Sequence, residues 1–274
     1  MANNITYLYI PANQEKYYSD INNLDADCII FDLEDSVAKV DKDIARRILQ
    51  KYLLEENNSQ KRIFVRLNNI KEIINEDLNL INNVSNKISG IFIPKISHSE
   101  EIDEIVSNLN NENLEIIPMI ESPKALLNIQ TIVSNVYVET IAIGEVDLSN
   151  ELDMNYDSIP KYFSSIRLYL NIVTSSFNKL PPIGPVWLNV NDIDGYKKHL
   201  KELKELGYKS VQLIHPSQIE LANKILSIDN EDIEWAKNIL NIAKKKGKTT
   251  FKDPSGNMID EAVIVRAQRI LDNK

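Results

Sequence analysis

Glycine is scarce in this chain, with 7 residues among 274. Neither a G-x-G-x-x-G nor a G-x-x-x-x-G-K-[ST] pattern occurs, so dinucleotide and P-loop nucleotide chemistry lack their usual sequence support. Cysteine is scarcer still. Cys28 stands alone, which excludes an internal disulfide framework and a Cys-rich zinc site. Basic residues are outnumbered, 31 Lys+Arg against 40 Asp+Glu, for a formal charge of −9. A general nucleic-acid binder would show a basic stripe instead. No stretch approaches the ~20 apolar residues needed to cross a bilayer. The first residues, Met-Ala-Asn-Asn-Ile-Thr, hold no basic region followed by an apolar run. Neither a membrane span nor a signal peptide is expected, and the chain reads as soluble and cytoplasmic.

What the sequence does contain is a recurring short apolar run followed by a polar stretch of helical period. The runs are Thr6–Ile10, Cys28–Leu33, Ile63–Leu67, Gly90–Ile93, Glu115–Ile120, Thr140–Gly144, Val186–Val190 and Ser210–Ile214. Most are continuous in Ile and Val, as strands buried on both faces are. Between them Ile102, Ile105, Val106 and Leu109 keep helical spacing, as do Leu200, Leu203 and Leu206. Eight strands alternating with helices predict a closed TIM-type (β/α)8 barrel over residues 1–228. An open doubly wound sheet is the competing architecture, but Pro11-Ala-Asn follows the first strand where such a sheet usually has a glycine-rich turn. Beyond the barrel, Ile233–Lys246 and Glu261–Leu271 read as helices around an Asp253-Pro-Ser-Gly turn. Residues 229–274 are therefore expected to form a C-terminal helical arm or lid, too short for an independent domain.

Chemistry in such a barrel sits where the strands end. Those ends carry Asp32-Leu-Glu-Asp35, Arg66-Leu-Asn68, Pro94-Lys95, Glu121-Ser-Pro, Gly144-Glu-Val-Asp147 and His215-Pro-Ser-Gln218. Glu121 and Asp147 follow adjacent strands, whose spacing of roughly 5 Å would let both carboxylates share one hard cation such as Mg²⁺. Capping of the following helices is the alternative for both. Arg66 could hold a carboxylate or an enolate oxygen, or pair with Asp32 or Glu34. Asp32, Glu34 and Asp35 could order metal-bound water or Arg66, or cap the next helix. His215 could serve as a base, although a histidine locked by hydrogen bonds under the site is preferred. Lys95 suits a Schiff base or, preferably, a salt bridge to the nearby acids. His98 and His199 read as members of solvated helix faces, and Cys28 as a buried, inert thiol.

With these residues in order, the sequence resembles the citrate lyase β-subunit-like family, in the group of Mg²⁺-dependent aldolases with citryl-, malyl- and citramalyl-thioester lyases. The resemblance is carried by Tyr7-Leu-Tyr-Ile-Pro-Ala-Asn13, Ile29–Val37, Val65-Arg-Leu-Asn68, Ile93-Pro-Lys95, Met119-Ile-Glu-Ser122, Ile143–Leu148, Ile214–Gln218, Gly256–Asp260 and Val265–Leu271. It implies that Glu121 and Asp147 ligate Mg²⁺ and that Arg66 holds the substrate carbonyl or enolate oxygen. It also implies that Asp260 acts as acid or base from a neighbouring subunit. Asn13, Lys95 and His215 join Arg66 as substrate-binding candidates. The expected activity is a carbon–carbon lyase acting on a 3-hydroxy acid or its acyl thioester through a metal-stabilised enolate. A free-acid aldolase or thioesterase on the same site, or a catalytically quiet subunit, are the alternatives. A homotrimer or homohexamer is implied. The sequence departs from the family at Gln14, where an Arg is usual, and at Pro182-Ile-Gly-Pro185, where Ile-Asp-Gly is usual. Coenzyme A, a carrier protein or no carrier at all therefore stay open.

Overall fold

The structure, a computed structural model, describes residues 5–56, 60–155, 162–246, 250–253 and 255–272. They divide into two compact units, one running to Leu226 and the other from Ser227 onward.

The first unit is a closed parallel barrel of eight strands. These are β1 (Thr6–Pro11), β2 (Cys28–Asp32), β3 (Arg62–Arg66), β4 (Gly90–Ile93), β5 (Glu115–Ile120), β6 (Ala142–Ile143), β7 (Ile183–Gly184) and β8 (Ser210–Leu213). The ring closes where Thr6 and Leu8 of β1 lie against Val211 and Leu213 of β8. Helices cover the outside: α1 (Lys42–Lys51), α2 (Ile74–Val84), α3 (Ser99–Ser107), α4 (Pro123–Leu127), α5 (Ile129–Ser134), α6 (Glu145–Glu151), α7 (Ser164–Ser176), α8 (Ile193–Glu205) and α9 (Ile219–Leu226). Every residue of β2, β4 and β8 is buried, which is why β4 and most of β2 read as apolar runs, while β8 carries the buried polar Ser210 and Gln212.

Alternation along the strands sorts side chains into two cores. Ile29, Phe31, Ile63, Val65, Ile91, Ile93, Val211 and Leu213 point outward into the layer shared with the helices. Tyr7, Cys28, Ile30, Phe64, Phe92, Ile117, Met119, Ala142 and Ile183 fill the barrel interior. The rings of Tyr7, Phe64 and Phe92 meet there at centroid distances of 5.6–5.9 Å, tilted or edge-on, the arrangement favoured by their quadrupoles. Cys28 is fully buried in this interior and its thiol is pushed up by burial, as befits an inert thiol.

Strand seven is not the expected run Val186–Val190. Val186–Val190 lies outside the strands, and β7 is the two-residue Ile183–Gly184. Pro181 and Pro182 before it and Pro185 after it have no backbone N–H, so a longer ladder cannot form. Strand six is likewise shorter than Thr140–Gly144, being Ala142–Ile143.

In the second unit, α10 (Asn230–Lys246) and α11 (Glu261–Asp272) pack with the two-stranded hairpin β9 (Phe251–Lys252) and β10 (Met258–Ile259). Ala236, Ile239, Phe251, Ile259 and Ala267 form its small buried cluster. Gly256 in the hairpin turn has φ +88°, a conformation that favours glycine. Pro254 of the anticipated turn lies outside the described residues.

Candidate active site

The interior parity that stacks Cys28 and Ile30 also turns Asp32 inward at the end of β2, and that of Phe64 does the same for Arg66 on β3. The two residues are register partners. Arg66 Nε donates to Asp32 Oδ1 and its Nη2 to Oδ2, both at 2.7 Å, a bidentate pair. Asp32 also accepts the backbone N–H groups of Glu34 at 2.9 Å and Ser36 at 3.1 Å. Burial alone would raise the Asp32 pKa, yet the guanidinium and these donors hold it below the usual carboxylate range. Burial likewise opposes charge on Arg66, and the surrounding acids overcome it, so Arg66 stays protonated.

The segment after β2 is held from behind. Lys42 Nζ on α1 donates to the carbonyls of Leu33 and Glu34, both at 2.6 Å. Asn68 Nδ2 donates to the Leu33 carbonyl at 2.9 Å and is itself fixed by buried Asp77. Glu34 is thereby directed into the site. Its Oε1 lies 2.6 Å from Lys95 Nζ, and Oε2 lies 3.2 Å from Arg66 Nη1 without an aligned hydrogen bond. Burial raises the pKa of Glu34 against the pull of both cations. Lys95 also reaches Asp35 at 3.6 Å. Burial works against its charge, but pairing with Glu34 raises its pKa overall. That is the salt bridge preferred above, and a poor setting for the neutral amine a Schiff base needs.

Lys95 adopts φ +56°, an uncommon conformation for a side chain of this kind. Its backbone N–H then donates to Glu121 Oε2 at 2.9 Å. Glu121 is 3% exposed. Burial, then the charge of Glu34, then that of Asp147 push its pKa up to about 8, against the opposing effects of Arg66 and the Lys95 N–H. Gly144 is its neighbour across the strand ends, and a Cβ there would fall 2.4 Å from Glu121 Oε1. A side chain there would force Glu121 to shift. The helix-capping role belongs to Ser122, which accepts the Ala125 N–H at the start of α4, and it leaves Glu121 free to face the site. Asp147 stands in the first turn of α6. That turn is anchored by buried Arg167 of α7, which grips Glu145 with two 2.7 Å bonds.

The donor set of Glu121 and Asp147 suits a hard cation. It offers two carboxylates, and no group of three His, Cys, Asp or Glu residues poised for a metal exists among the described residues. Mg²⁺ needs no more than one or two protein carboxylates and takes its remaining oxygens from water and substrate.

Asn13 follows β1 at the same end of the barrel and is partly exposed. His215 follows β8. It is exposed and caps the turn Pro216–Gln218, with Nδ1 2.8 Å from Ser217 Oγ, so it does not lie beneath the site as preferred above. His199 is the reverse case. It is 5% exposed, stacked on Trp187 and set against the Pro185 carbonyl, and burial, with the Arg167 charge, lowers its pKa to about 3. Asp260 belongs to the second unit, where it is exposed and caps α11 by accepting the Val263 N–H. Sequence reading passed over Tyr9 and Gln212. Both point into the barrel by the same parity as Tyr7, and a glutamine amid Val211 and Leu213 was the available signal.

Residues 6–216 match the family described as HpcH/HpaI aldolase/citrate lyase. The chain is 26% identical to the mitochondrial citramalyl-CoA lyase of Rattus norvegicus, over 96% of this chain and 84% of that protein. It is 29% identical to the (3S)-malyl-CoA thioesterase of Cereibacter sphaeroides, over 84% and 79% respectively. Its fold is shared with the CitE protein of Mycobacterium tuberculosis, solved with magnesium, acetoacetate and coenzyme A, at a TM-score of 0.81 and 21% identity, covering 98% of this chain and 97% of that one. A profile match across most of the barrel, on a chain that keeps Arg66, Glu121 and Asp147 together at one end of it, establishes that this protein belongs to the HpcH/HpaI aldolase/citrate lyase family.

Proposed function

We propose that this chain is a Mg²⁺-dependent carbon–carbon lyase cleaving or forming a 3-hydroxy acyl thioester of the citramalyl, malyl or citryl type. The observation that carries this reading is the joint placement of the Arg66–Asp32 pair and the Glu121/Asp147 carboxylates within a barrel of this family. A citramalyl-CoA lyase and a solved relative holding magnesium and coenzyme A support it. Glu121 and Asp147 would hold the metal, which when bound supplies Lewis-acid polarisation of the substrate's oxygens. Arg66, kept charged and oriented by Asp32, stabilises the oxyanion of the enolate left by carbon–carbon cleavage. Lys95 and Glu34 neutralise each other beside it, so that charge is not carried into the site unbalanced. Asp260 is the candidate to deliver or remove the proton at the enolate carbon. A cytoplasmic homotrimer or homohexamer, with Asp260 contributed by a second subunit, belongs to the same proposal.

The malyl-CoA thioesterase relative favours a second reading, hydrolysis of the thioester on the same metal site. Turnover of citramalyl-, malyl- and citryl-CoA with Mg²⁺, set against the free acids, separates the two. A lyase releases a 2-oxo acid or glyoxylate together with an acyl-CoA. A thioesterase releases free coenzyme A and the intact hydroxy acid. Activity persisting in excess chelator, or in Glu121→Gln, would overturn both.

A further inference from the structure

The mouth of the barrel contains a tyrosine that the chemistry above does not use. Tyr9 sits on β1 two residues beyond Tyr7, with its side chain inward and half-buried against the interior aromatic layer. The face of its ring carries the Arg66 guanidinium, whose central carbon lies 4.8 Å from the ring centroid. Its hydroxyl donates to Gln212 Oε1 at 2.8 Å. The sense of that bond is fixed by the rest of the glutamine. Gln212 Nε2 gives its two protons to the carbonyls of Ile143 and Gly184, both at 3.0 Å, so the remaining oxygen can only accept. Gln212 is 2% exposed, and each of its side-chain polar atoms is engaged. The tyrosine hydroxyl is thus tied to the ends of β6 and β7. The guanidinium is restrained along one edge by Asp32 and across one face by Tyr9.

We propose that Tyr9 is a positioning residue for Arg66, with Gln212 as its anchor. The ring sets the plane in which the guanidinium meets a substrate oxyanion. A cation seated on a desolvated aromatic face gains both energy and orientation, and catalysis is sensitive to displacements of about 1 Å at such a donor. The nature of the oxyanion rests on the lyase reading; the seating of Arg66 does not.

The test compares the full chain with Tyr9→Leu and Tyr9→Phe by two readouts. One is kcat and KM on the preferred acyl-CoA with Mg²⁺. The other is the ¹⁵N–¹H signal of Arg66 Nε, with Arg167 Nε, bonded to Glu145, as internal control. Tyr9→Leu is expected to lower kcat about tenfold with KM within about threefold, and to shift the Arg66 signal and speed its exchange while Arg167 is unmoved. Tyr9→Phe, which keeps the ring but loses the bond to Gln212 Oε1, is expected to fall between the unsubstituted chain and Tyr9→Leu, recovering part of the kcat loss and of the Arg66 shift. A folded Tyr9→Leu with wild-type kcat and an unmoved Arg66 signal overturns the proposal. So does a Phe variant as impaired as the Leu variant, or an equal change at Arg66 and Arg167. If Tyr9→Leu does not fold, Tyr9→Met takes its place. Absence of turnover in the unsubstituted chain would sink the lyase reading, and the Arg66 signal would still decide how the guanidinium is seated.

Discussion

Glu121 makes metal binding and proton release a single event. Its pKa rises from 4.5 to about 8, so at pH 7 the metal-free site holds about 0.9 proton on that carboxyl. A cation that takes Glu121 as ligand must displace it. Affinity for Mg²⁺ should therefore climb close to tenfold per pH unit from about 5 to about 8, then level off. Calorimetric titration at pH 7 in two buffers of different ionisation enthalpy reads the released proton directly as a difference in heat. The same shift has a consequence for the fold. An acid whose folded pKa is raised stabilises the fold fully below its unfolded pKa, and the contribution fades as pH rises through the folded value. On Glu121's account the metal-free chain should lose about 4 kcal/mol between pH 4.5 and 8, and Glu121→Gln should remove that loss. An affinity flat from pH 6 to 8, with no buffer dependence of the heat, would refute the argument that a protonated Glu121 is the resting state of the site.

Other consequences can be checked separately. Gly144→Ala puts a Cβ 2.4 Å from Glu121 Oε1 and should weaken Mg²⁺ binding at least about tenfold, while the thermal midpoint falls little; unchanged affinity would show that Glu121 moves aside freely. His199, with its pKa lowered to about 3, stays neutral in the fold while the unfolded chain takes up a proton below pH 6.5. Stability present above pH 6.5 is lost on acidification, by about 3 kcal/mol at pH 4.5, and denaturant titrations should show this loss shrinking in His199→Gln. Arg167→Met leaves buried Glu145 unpaired and should cost about 3–5 kcal/mol. Arg167→Met with Glu145→Leu should recover much of it, and additive losses in chemical denaturation would argue against the pair acting as a unit.

Much of this architecture was legible because a strand buried on both faces has little choice but to be apolar. Cys28–Asp32 and Gly90–Ile93 announce themselves for that reason. Ile183–Gly184 does not, since two residues between prolines leave no periodicity to read, and the more apolar Val186–Val190 takes the eye. His199 was misjudged by chemistry where geometry would have served. It shares a face with Tyr196, Leu200 and Leu203 on α8, all of them buried, and that spacing marks the inner side of the helix. At the site, the acids and Arg66 were found because each lies at or within a few residues of the end of an apolar run. The Asp32–Arg66 pair was open only as one alternative, shared with Glu34, and its bidentate form came from the register of adjacent strands. The left-handed Lys95, whose N–H serves Glu121, has no sequence signature, because its role is played by the backbone. Tyr9 and Gln212 were missed because an inward polar group within a strand looks like core until the closure of the ring shows what it faces.

The unequal strands give the barrel wall a stiff side and a soft one. From β1 to β5 the staves are four to six residues long and interlock over several rungs. At β6 and β7 they shrink to two residues, joined at a single register pair between Ala142 and Ile183. There the amide of Gln212, bound to the carbonyls of Ile143 and Gly184, acts as a rivet where the ladder is too short to close the seam. Arg66 and Asp32 stand on the stiff side; the helix bearing Asp147 springs from the soft one. Of the two carboxylates that would hold the metal, Glu121 thus ends a long strand and Asp147 follows a short one, and the Gln212 rivet that ties the short strands is the same group that holds the Tyr9 hydroxyl beneath Arg66.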